Sequence, residues 1–165
     1  MRRLAPVALL FGLLLASGCH DDDDDCLFGC CDGVCVFDCG DGCAPACSSF
    51  TDCIARCGHD CNYDCRSGAN CDVRCGERCT VTCQSTSTCN AACGALCDYQ
   101  CTDVNDCSPE VGPGSVAVCE RVANCNVSCN GDCSVSCLET GNCNVNCADG
   151  SAQSCADGTV RCGPC

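Results

Sequence analysis

The sequence predicts an all-β fold, a two-sheet parallel β-solenoid of seven 18-residue coils held together by disulfides. Three observations support this fold class. Cysteine accounts for 31 of the 165 residues, and from Cys35 the cysteines follow one another at intervals of 4, 4, 4 and 6 residues. The residues between them alternate in polarity, as in strands with one buried face. The cycle restarts without insertions, as stacked coils require, at Cys53, Cys71, Cys89, Cys107, Cys125 and Cys143.

The chain begins with a segment typical of an export signal, residues 1–18. A basic start is followed by an apolar run from Leu4 to Leu15, too short to remain as a membrane span, and then by small residues. The string Leu15-Ala16-Ser17-Gly18-Cys19 resembles the lipobox of bacterial lipoproteins. The resemblance implies that the signal is cut before Cys19 and that the Cys19 sulfur receives lipid. Because Ala16 stands where that family prefers leucine, cleavage without lipid attachment is the alternative.

The lipidation that this resemblance implies anchors the protein in the bacterial cell envelope, at the outer membrane, without a membrane-crossing segment. Residues 19–25 then comprise the lipidated cysteine and an acidic tether, because the run from Asp21 to Asp25 repels itself and stays extended. The formal net charge of −14 becomes −16 once Arg2 and Arg3 leave with the signal. We therefore expect a membrane partner through the lipid, and no nucleic acid.

The remaining chain divides into a cap at residues 26–34, the seven coils at 35–160 and a second cap at 161–165. One repeat shows the pattern within a coil: Cys125, Val127 and Cys129 alternate with polar residues, and a similar segment follows at 133–137. Each unit therefore predicts two short strands and two turns. The three-residue turn inside a unit usually begins with glycine, for which we predict a positive φ. The five-residue turn between units ends in Asp, Asn or Thr, which also favour turns.

The middle inward residues of the two strands give an independent test of the coil. Their sizes compensate, as close packing across a narrow interior requires: Ala55 faces Tyr63, and Ala91 faces Tyr99. A helix would also place cysteines four residues apart on one face, but the recurrent Gly, Asn, Ser, Val and Thr disfavour a helix. In architecture the predicted coil resembles the disulfide-braced β-solenoid antifreeze proteins of insects, and this resemblance concerns the fold only.

Two sets of disulfides are predicted. Val111 and Ser115 replace the second and third cysteines of one unit together, which suggests that these positions pair across the glycine turn. The first and fourth cysteines pair either within a coil or across the five-residue turn, and we favour the turn because it leaves an even number of cysteines at each end. The glycine-turn bridges are Cys39–Cys43, Cys57–Cys61, Cys75–Cys79, Cys93–Cys97 and Cys129–Cys133. The bridges across the five-residue turn are Cys47–Cys53, Cys65–Cys71, Cys83–Cys89, Cys101–Cys107, Cys119–Cys125 and Cys137–Cys143.

The sequence contains no recognisable catalytic pair. His20 lies in the tether and His59 in a turn, and the Cys162-x-x-Cys165 spacing lacks the strand-to-helix context of a redox site, so we predict a structural bridge there. We predict no enzyme, no cofactor, no metal site and no small-molecule substrate. The predicted function is a surface-exposed, membrane-anchored structural or adhesive lipoprotein, a rigid scaffold for an unidentified cell-surface macromolecule.

Two alternative functions are compatible with parts of the sequence. A thiol-rich, metallothionein-like metal binder would account for the cysteine content, but such chains use Cys-x-Cys spacing, which is absent here, and need no fixed 18-residue pitch. Ice binding requires a regular outward row of threonine, and only Thr80 and Thr82 occupy such places. The scaffold is therefore the preferred hypothesis, with metal binding second.

Overall fold

The computed structural model describes residues 30–31, 33–49 and 52–165, and within these ranges the chain forms strands and turns. The strands build two eight-stranded sheets, and the chain passes from one sheet to the other as it winds. This confirms the predicted two-sheet parallel β-solenoid. No helix in the described ranges is long and apolar enough to span a bilayer. Cys19, the export signal and the acidic tether lie outside the described residues.

The strands alternate between the sheets in chain order. The first sheet contains β1 (Cys30–Cys31), β2 (Val34–Cys39), β4 (Asp52–Cys57), β6 (Asn70–Cys75), β8 (Thr88–Cys93), β10 (Asp106–Val111), β12 (Asn124–Cys129) and β14 (Asn142–Cys147). The second sheet contains β3 (Ala46–Ser48), β5 (Asn62–Arg66), β7 (Thr80–Gln84), β9 (Asp98–Thr102), β11 (Ser115–Glu120), β13 (Cys133–Leu138), β16 (Val160–Cys162) and β15 (Gln153–Ser154). Strands of successive coils run parallel and in register, so that Cys53 lies beside Cys71 in the first sheet and Cys65 lies beside Cys83 in the second sheet.

About six coils are complete, and the seventh predicted coil is open. β14 continues the first sheet in parallel with β12. The second half of that unit does not continue the second sheet, because β15 pairs with β16, and β16 runs antiparallel along β13. The sequence explains the difference: Ser151 replaces the third cysteine of this unit and Gln153 its inward apolar residue, so the coil lacks the side chains that close the others.

The interior consists of cysteine and of the paired inward residues. Tyr63 and Tyr99 are fully buried, and their hydroxyls donate hydrogen bonds to the carbonyls of Cys53 at 3.4 Å and Cys89 at 3.0 Å. Each acceptor lies on the first strand of the same coil, so each ring extends across the interior. The small residue of each pair, Ala55 or Ala91, is buried as well. Burial raises the pKa of both tyrosines, which keeps the hydroxyls protonated as donors.

The glycines that begin the three-residue turns serve close approach, and the predicted positive φ at these positions is wrong. Positive φ occurs instead at the third residue of the turn, for example 58° at Asp60 and 72° at Gly114. A Cβ added at Gly112 would lie 2.6 Å from the carbonyl carbon and oxygen of Gly94 in the preceding coil. The stacking of one coil on the next therefore excludes a side chain, a constraint that acts between coils and not within the turn.

Gly112→Ala is expected to lower the free energy of unfolding by about 1–3 kcal/mol, because the added methyl must displace the backbone of the preceding coil. Gly40→Ala is the matched control, since it begins the same turn in the first coil and an added Cβ there meets nothing within 4 Å. Guanidinium unfolding of both variants measures the difference. Equal stability of the two variants would contradict the close stacking of these turns.

The five-residue turns take positive φ at their second residue, with values of 51–64°. The polar residues that end these stretches were predicted to serve the turn, but each is the first residue of a first-sheet strand. They form a polar ladder along the stack in two hydrogen-bonded runs, residues 52, 70 and 88 and residues 106, 124 and 142. Asn70 donates to Asp52 at 2.6 Å, and Asn142 donates to Asn124 at 2.8 Å. The column of left-handed residues is Ser49, Ser67, Ser85, Asp103, Arg121 and Glu139.

Candidate functional site

Cysteine sulfurs line both edges of the stack, and the edge at the five-residue turns is bridged at six successive levels. Each bridge joins the fourth cysteine of one unit to the first cysteine of the next, with Cα–Cα distances of 6.3–6.6 Å. Disulfides in this number indicate an oxidising environment, as outside the cell. The bridges are Cys47–Cys53, Cys65–Cys71, Cys83–Cys89, Cys101–Cys107, Cys119–Cys125 and Cys137–Cys143.

The edge at the glycine turns is bridged at some levels only. Cys39–Cys43 and Cys129–Cys133 form disulfides, with Cα–Cα distances of 6.2 and 6.0 Å. At three levels between them the structure differs from the predicted pairing. No disulfide is formed there by the predicted pairs Cys57–Cys61, Cys75–Cys79 and Cys93–Cys97.

Stacking in register accounts for this difference. Parallel neighbours lie about 4.8 Å apart, so each sulfur is close to its equivalent in the adjacent coil as well as to its partner across the turn. The Sγ atoms of Cys75 and Cys93 are 3.1 Å apart, and those of Cys43 and Cys61 are 3.2 Å apart. Contact along the stack therefore competes with pairing across the turn.

Four cysteines lie together in the middle of this edge, and we call Cys75, Cys79, Cys93 and Cys97 the thiol cluster. None of the four is in a disulfide. The Sγ atoms of Cys75, Cys79 and Cys97 all lie within 4.8 Å of one another, and Cys93 Sγ contacts Cys75 Sγ. β6 and β8 end at Cys75 and Cys93, and the glycine turns that follow lead to Cys79 and Cys97. Three of these side chains are buried, and Cys75 is half-buried.

Hydrogen bonds within the thiol cluster shift the thiol pKa values in opposite directions. Hydrogen bonds from Cys75 and Cys93 lower the pKa of Cys97. Hydrogen bonds to Cys93 and Cys97, together with burial, raise the pKa of Cys75. Opposing effects act on Cys93. The hydrogen bond with Cys75 lowers its pKa, but the hydrogen bond with Cys97 and burial together raise it by more, so the pKa of Cys93 is raised. Burial raises the pKa of Cys79. The protonation of each thiol in the cluster therefore depends on that of its neighbours.

A level without sulfur bounds the thiol cluster on one side. Val111 and Ser115 occupy the cysteine positions of the next coil, and both are buried. Ser115 Oγ accepts a hydrogen bond from the Cys97 backbone N–H at 3.0 Å and lies 3.5 Å from the Gly94 carbonyl, to which it donates. The serine thus satisfies backbone groups of the preceding turn, whereas a cysteine in its place would extend the sulfur column.

The cysteines at the C-terminus pair differently from the prediction. Cys147–Cys162 and Cys155–Cys165 form disulfides with Cα–Cα distances of 5.4 and 5.6 Å, so Cys162 and Cys165 are not joined to each other. The physical reason is the direction of β16: its antiparallel course along β13 brings Cys162 to the end of β14, where Cys147 lies.

Comparison with protein-family models, with curated proteins and with solved structures finds no match to this chain.

The outward face of the first sheet carries a second feature, two arginines side by side. Arg56 and Arg74 are register partners on β4 and β6, and both are exposed. In the part of the chain that the structure describes, neither forms a salt bridge. The other described arginines each contact a carboxylate, as Arg78 contacts Asp60 at 2.7 Å. The pair is flanked on the same face by carboxylates, since Asp38 is the register partner of Arg56 on β2 and exposed Asp72 lies two residues before Arg74 on β6.

The disulfides predicted from the sequence all joined cysteines across a turn, and the thiol cluster, which joins two adjacent coils, was not predicted. The signal was present in the 18-residue spacing, because residues 75 and 93, and residues 79 and 97, occupy equivalent positions in adjacent coils.

Proposed function

We propose that this protein is an exported, lipid-anchored scaffold that stands on the bacterial outer membrane and presents its flat sheet faces to a cell-surface macromolecule, without catalysis. The observation that carries the proposal is the covalently braced stack. Parallel coils in register, bridged at one edge at successive levels, form a rigid body suited to a structural role. The acidic tether predicted between Cys19 and the first coil separates this body from the lipid.

The surface of the stack supports an interaction role more than ice binding. The outward residues of the second sheet change from Thr80 and Thr82 on β7 to Val116 and Val118 on β11. No single chemistry repeats along the face, as a regular ice-binding row requires. The polar ladder and the Arg56–Arg74 pair give the first sheet a different character, which is consistent with recognition of a specific partner.

Chain-wide, metallothionein-like metal binding has less support. Sulfurs that are already in disulfides are not thiolates, and the thiolate is the form that binds metal. In the described part of the chain ten disulfides occupy 20 cysteines. A metal role is therefore restricted to a local site.

Cys19→Ser is expected to abolish lipid attachment and to release the protein from the membrane fraction, because serine offers no sulfur for the acyl-bearing group. Expression of both forms in a bacterial host with labelled fatty acid, followed by fractionation and intact mass, measures this outcome. The labelled lipid should be present on the parent protein and absent from the variant.

Ser17→Ala is the matched control, since it alters the same segment and keeps Cys19. It should retain both label and membrane association. Unlabelled parent protein that leaves the cells in soluble form would contradict the anchor, while leaving the disulfide-braced fold untouched.

A further inference from the structure

We propose that Cys75, Cys79, Cys93 and Cys97 form a four-sulfur site for one soft divalent cation, with Zn²⁺ as the reference ion. This site is independent of the lipid anchor and of the partner-binding role. It lies at the glycine-turn edge, halfway along the stack, where four cysteines converge from two adjacent coils. Each coil supplies the last residue of a strand and the residue that follows the turn.

The state of the sulfurs distinguishes this cluster from other groups of neighbouring cysteines. Three further sets of three cysteines have sulfurs within 4.8 Å of one another. Each of those sets contains at least one disulfide: Cys39–Cys43, Cys47–Cys53 and Cys129–Cys133. A disulfide sulfur has no proton to lose and is not a thiolate donor. Among the described residues, the thiol cluster is the set in which every member is a thiol.

The distances fit a tetrahedral site after small movements. Zinc binds thiolates at about 2.3 Å, so four sulfurs around it lie about 3.8 Å from one another. The observed separations include 3.1 Å between Cys75 and Cys93 and extend to at most 4.8 Å among Cys75, Cys79 and Cys97. Cys75, Cys79 and Cys97 therefore need to move by at most about 1 Å relative to one another, whereas Cys93, which is in contact with Cys75 but is not within 4.8 Å of all three, has to turn toward the other two. Burial of three of the four side chains shields the site from water.

Binding requires loss of thiol protons and no change in oxidation state. Each sulfur that bonds to the cation releases its proton to solvent, so occupancy is expected to weaken as the pH falls. Backbone carbonyls surround the site: the Sγ atoms of Cys79 and Cys97 point at the carbonyls of Gly58 and Gly76, each at 3.6 Å. These carbonyls accept S–H hydrogen bonds in the free protein and hold the sulfurs in place.

The structure also accounts for why the site would take a single ion. Val111 and Ser115 supply no sulfur in the next coil, and in the coil on the other side Cys61 Sγ lies 3.2 Å from Cys43, a disulfide-bonded cysteine, and is not grouped with the cluster's sulfurs. The column therefore provides four converging thiols at one place. A soft metal is expected in preference to Mg²⁺ or Ca²⁺, because those ions require oxygen ligands.

The test is the metal content of the full chain, refolded under mild oxidation with excess Zn²⁺ and then dialysed. We expect about one zinc per chain, and thiolate-to-metal charge-transfer absorption when Co²⁺ replaces Zn²⁺. Alkylation followed by peptide mapping should show that residues 75, 79, 93 and 97 are protected with zinc and alkylated after a chelator is added. Zinc-free protein in which these residues form Cys75–Cys79 and Cys93–Cys97 disulfides, despite the zinc, overturns the proposal.

The double variant Cys79→Ser, Cys97→Ser should lose the bound zinc. Its matched control is Cys129→Ser, Cys133→Ser, which removes two cysteines from the same turn positions in another coil and should retain about one zinc. Two or more zinc ions per parent chain, or retention of zinc by the first variant, also overturns the site. Peptide mapping of the parent protein decides the matter even if a variant fails to fold.

Discussion

Complete reduction of the disulfides is expected to unfold the stack. A bridge that closes a short loop contributes about 2 kcal/mol, and ten bridges lie in the described part of the chain. Their combined effect is larger than the total stability of a typical domain, about 5–15 kcal/mol. The apolar interior is thin, because most coils contribute a single pair of inward-facing residues besides cysteine. Burial of these residues does not replace the stability that the disulfides contribute. Far-UV circular dichroism before and after reduction and alkylation measures the loss of strand structure.

A single bridge provides a graded form of this experiment. Removal of the Cys101–Cys107 bridge by substitution of both residues with alanine should cost about 2–4 kcal/mol, because both sulfurs are fully buried in the middle of the stack. The same change at Cys155 and Cys165 is the control, since this bridge secures an exposed end that can open locally, and it should cost under about 1 kcal/mol. For the complete reduction described above, strand structure that survives reduction and full alkylation would mean that the disulfides are not the main source of stability.

Tyr99→Ala is expected to lower the free energy of unfolding by about 3–5 kcal/mol, because it removes a fully buried ring that extends across the coil. Tyr99→Phe keeps the ring and loses only the hydrogen bond to the Cys89 carbonyl, for which about 1 kcal/mol is expected. Guanidinium unfolding of the oxidised protein measures both. Leu138→Ala, at a side chain that is 51% exposed, is the surface control and should change stability by less than about 0.5 kcal/mol.

The compensating sizes of Ala91 and Tyr99 on the two strands allow a second test with a double variant. If Ala91 and Tyr99 share one interior volume, then adding Ala91→Phe to Tyr99→Ala should recover about 1–2 kcal/mol of the loss. Additive losses in the double variant would show that the two positions do not share a volume, even though both are buried.

The period and alternation of the sequence were sufficient to predict the fold class, the two sheets and the positions of the strands in the first six coils, but not the antiparallel β15 and β16 that follow. The reason is that the 18-residue pitch is a constraint on geometry: insertions would shift every later coil out of register, so the period reports the stack directly. The pairs Ala55–Tyr63 and Ala91–Tyr99 could be identified because a coil of fixed width allows only compensating sizes.

Interactions between coils were harder to read from the sequence. Glycine at position 112 looked like a turn residue because turns favour it, while its actual constraint is the backbone of Gly94 in the preceding coil. Asn70 and its equivalents also looked like turn formers and instead bond along the stack. The thiol cluster likewise arises from contact along the stack, between equivalent cysteines of adjacent coils. Local propensity describes the chain within one coil, and these features arise from contact between equivalent residues 18 positions apart.

The sulfur-free level at Val111 and Ser115 has a consequence for the chemistry of the edge. Thiol–disulfide exchange requires one sulfur to attack another in direct contact. The Sγ–Sγ distances of 3.1 Å between Cys75 and Cys93 and of 3.2 Å between Cys43 and Cys61 allow exchange between adjacent coils at these two places, both on the N-terminal side of that level. On the C-terminal side, the Cys129–Cys133 disulfide is separated from these sulfurs by the full coil that contains Val111 and Ser115. Exchange that begins among the sulfurs on the N-terminal side of Val111 and Ser115 therefore has no sulfur at that level through which to reach Cys129–Cys133.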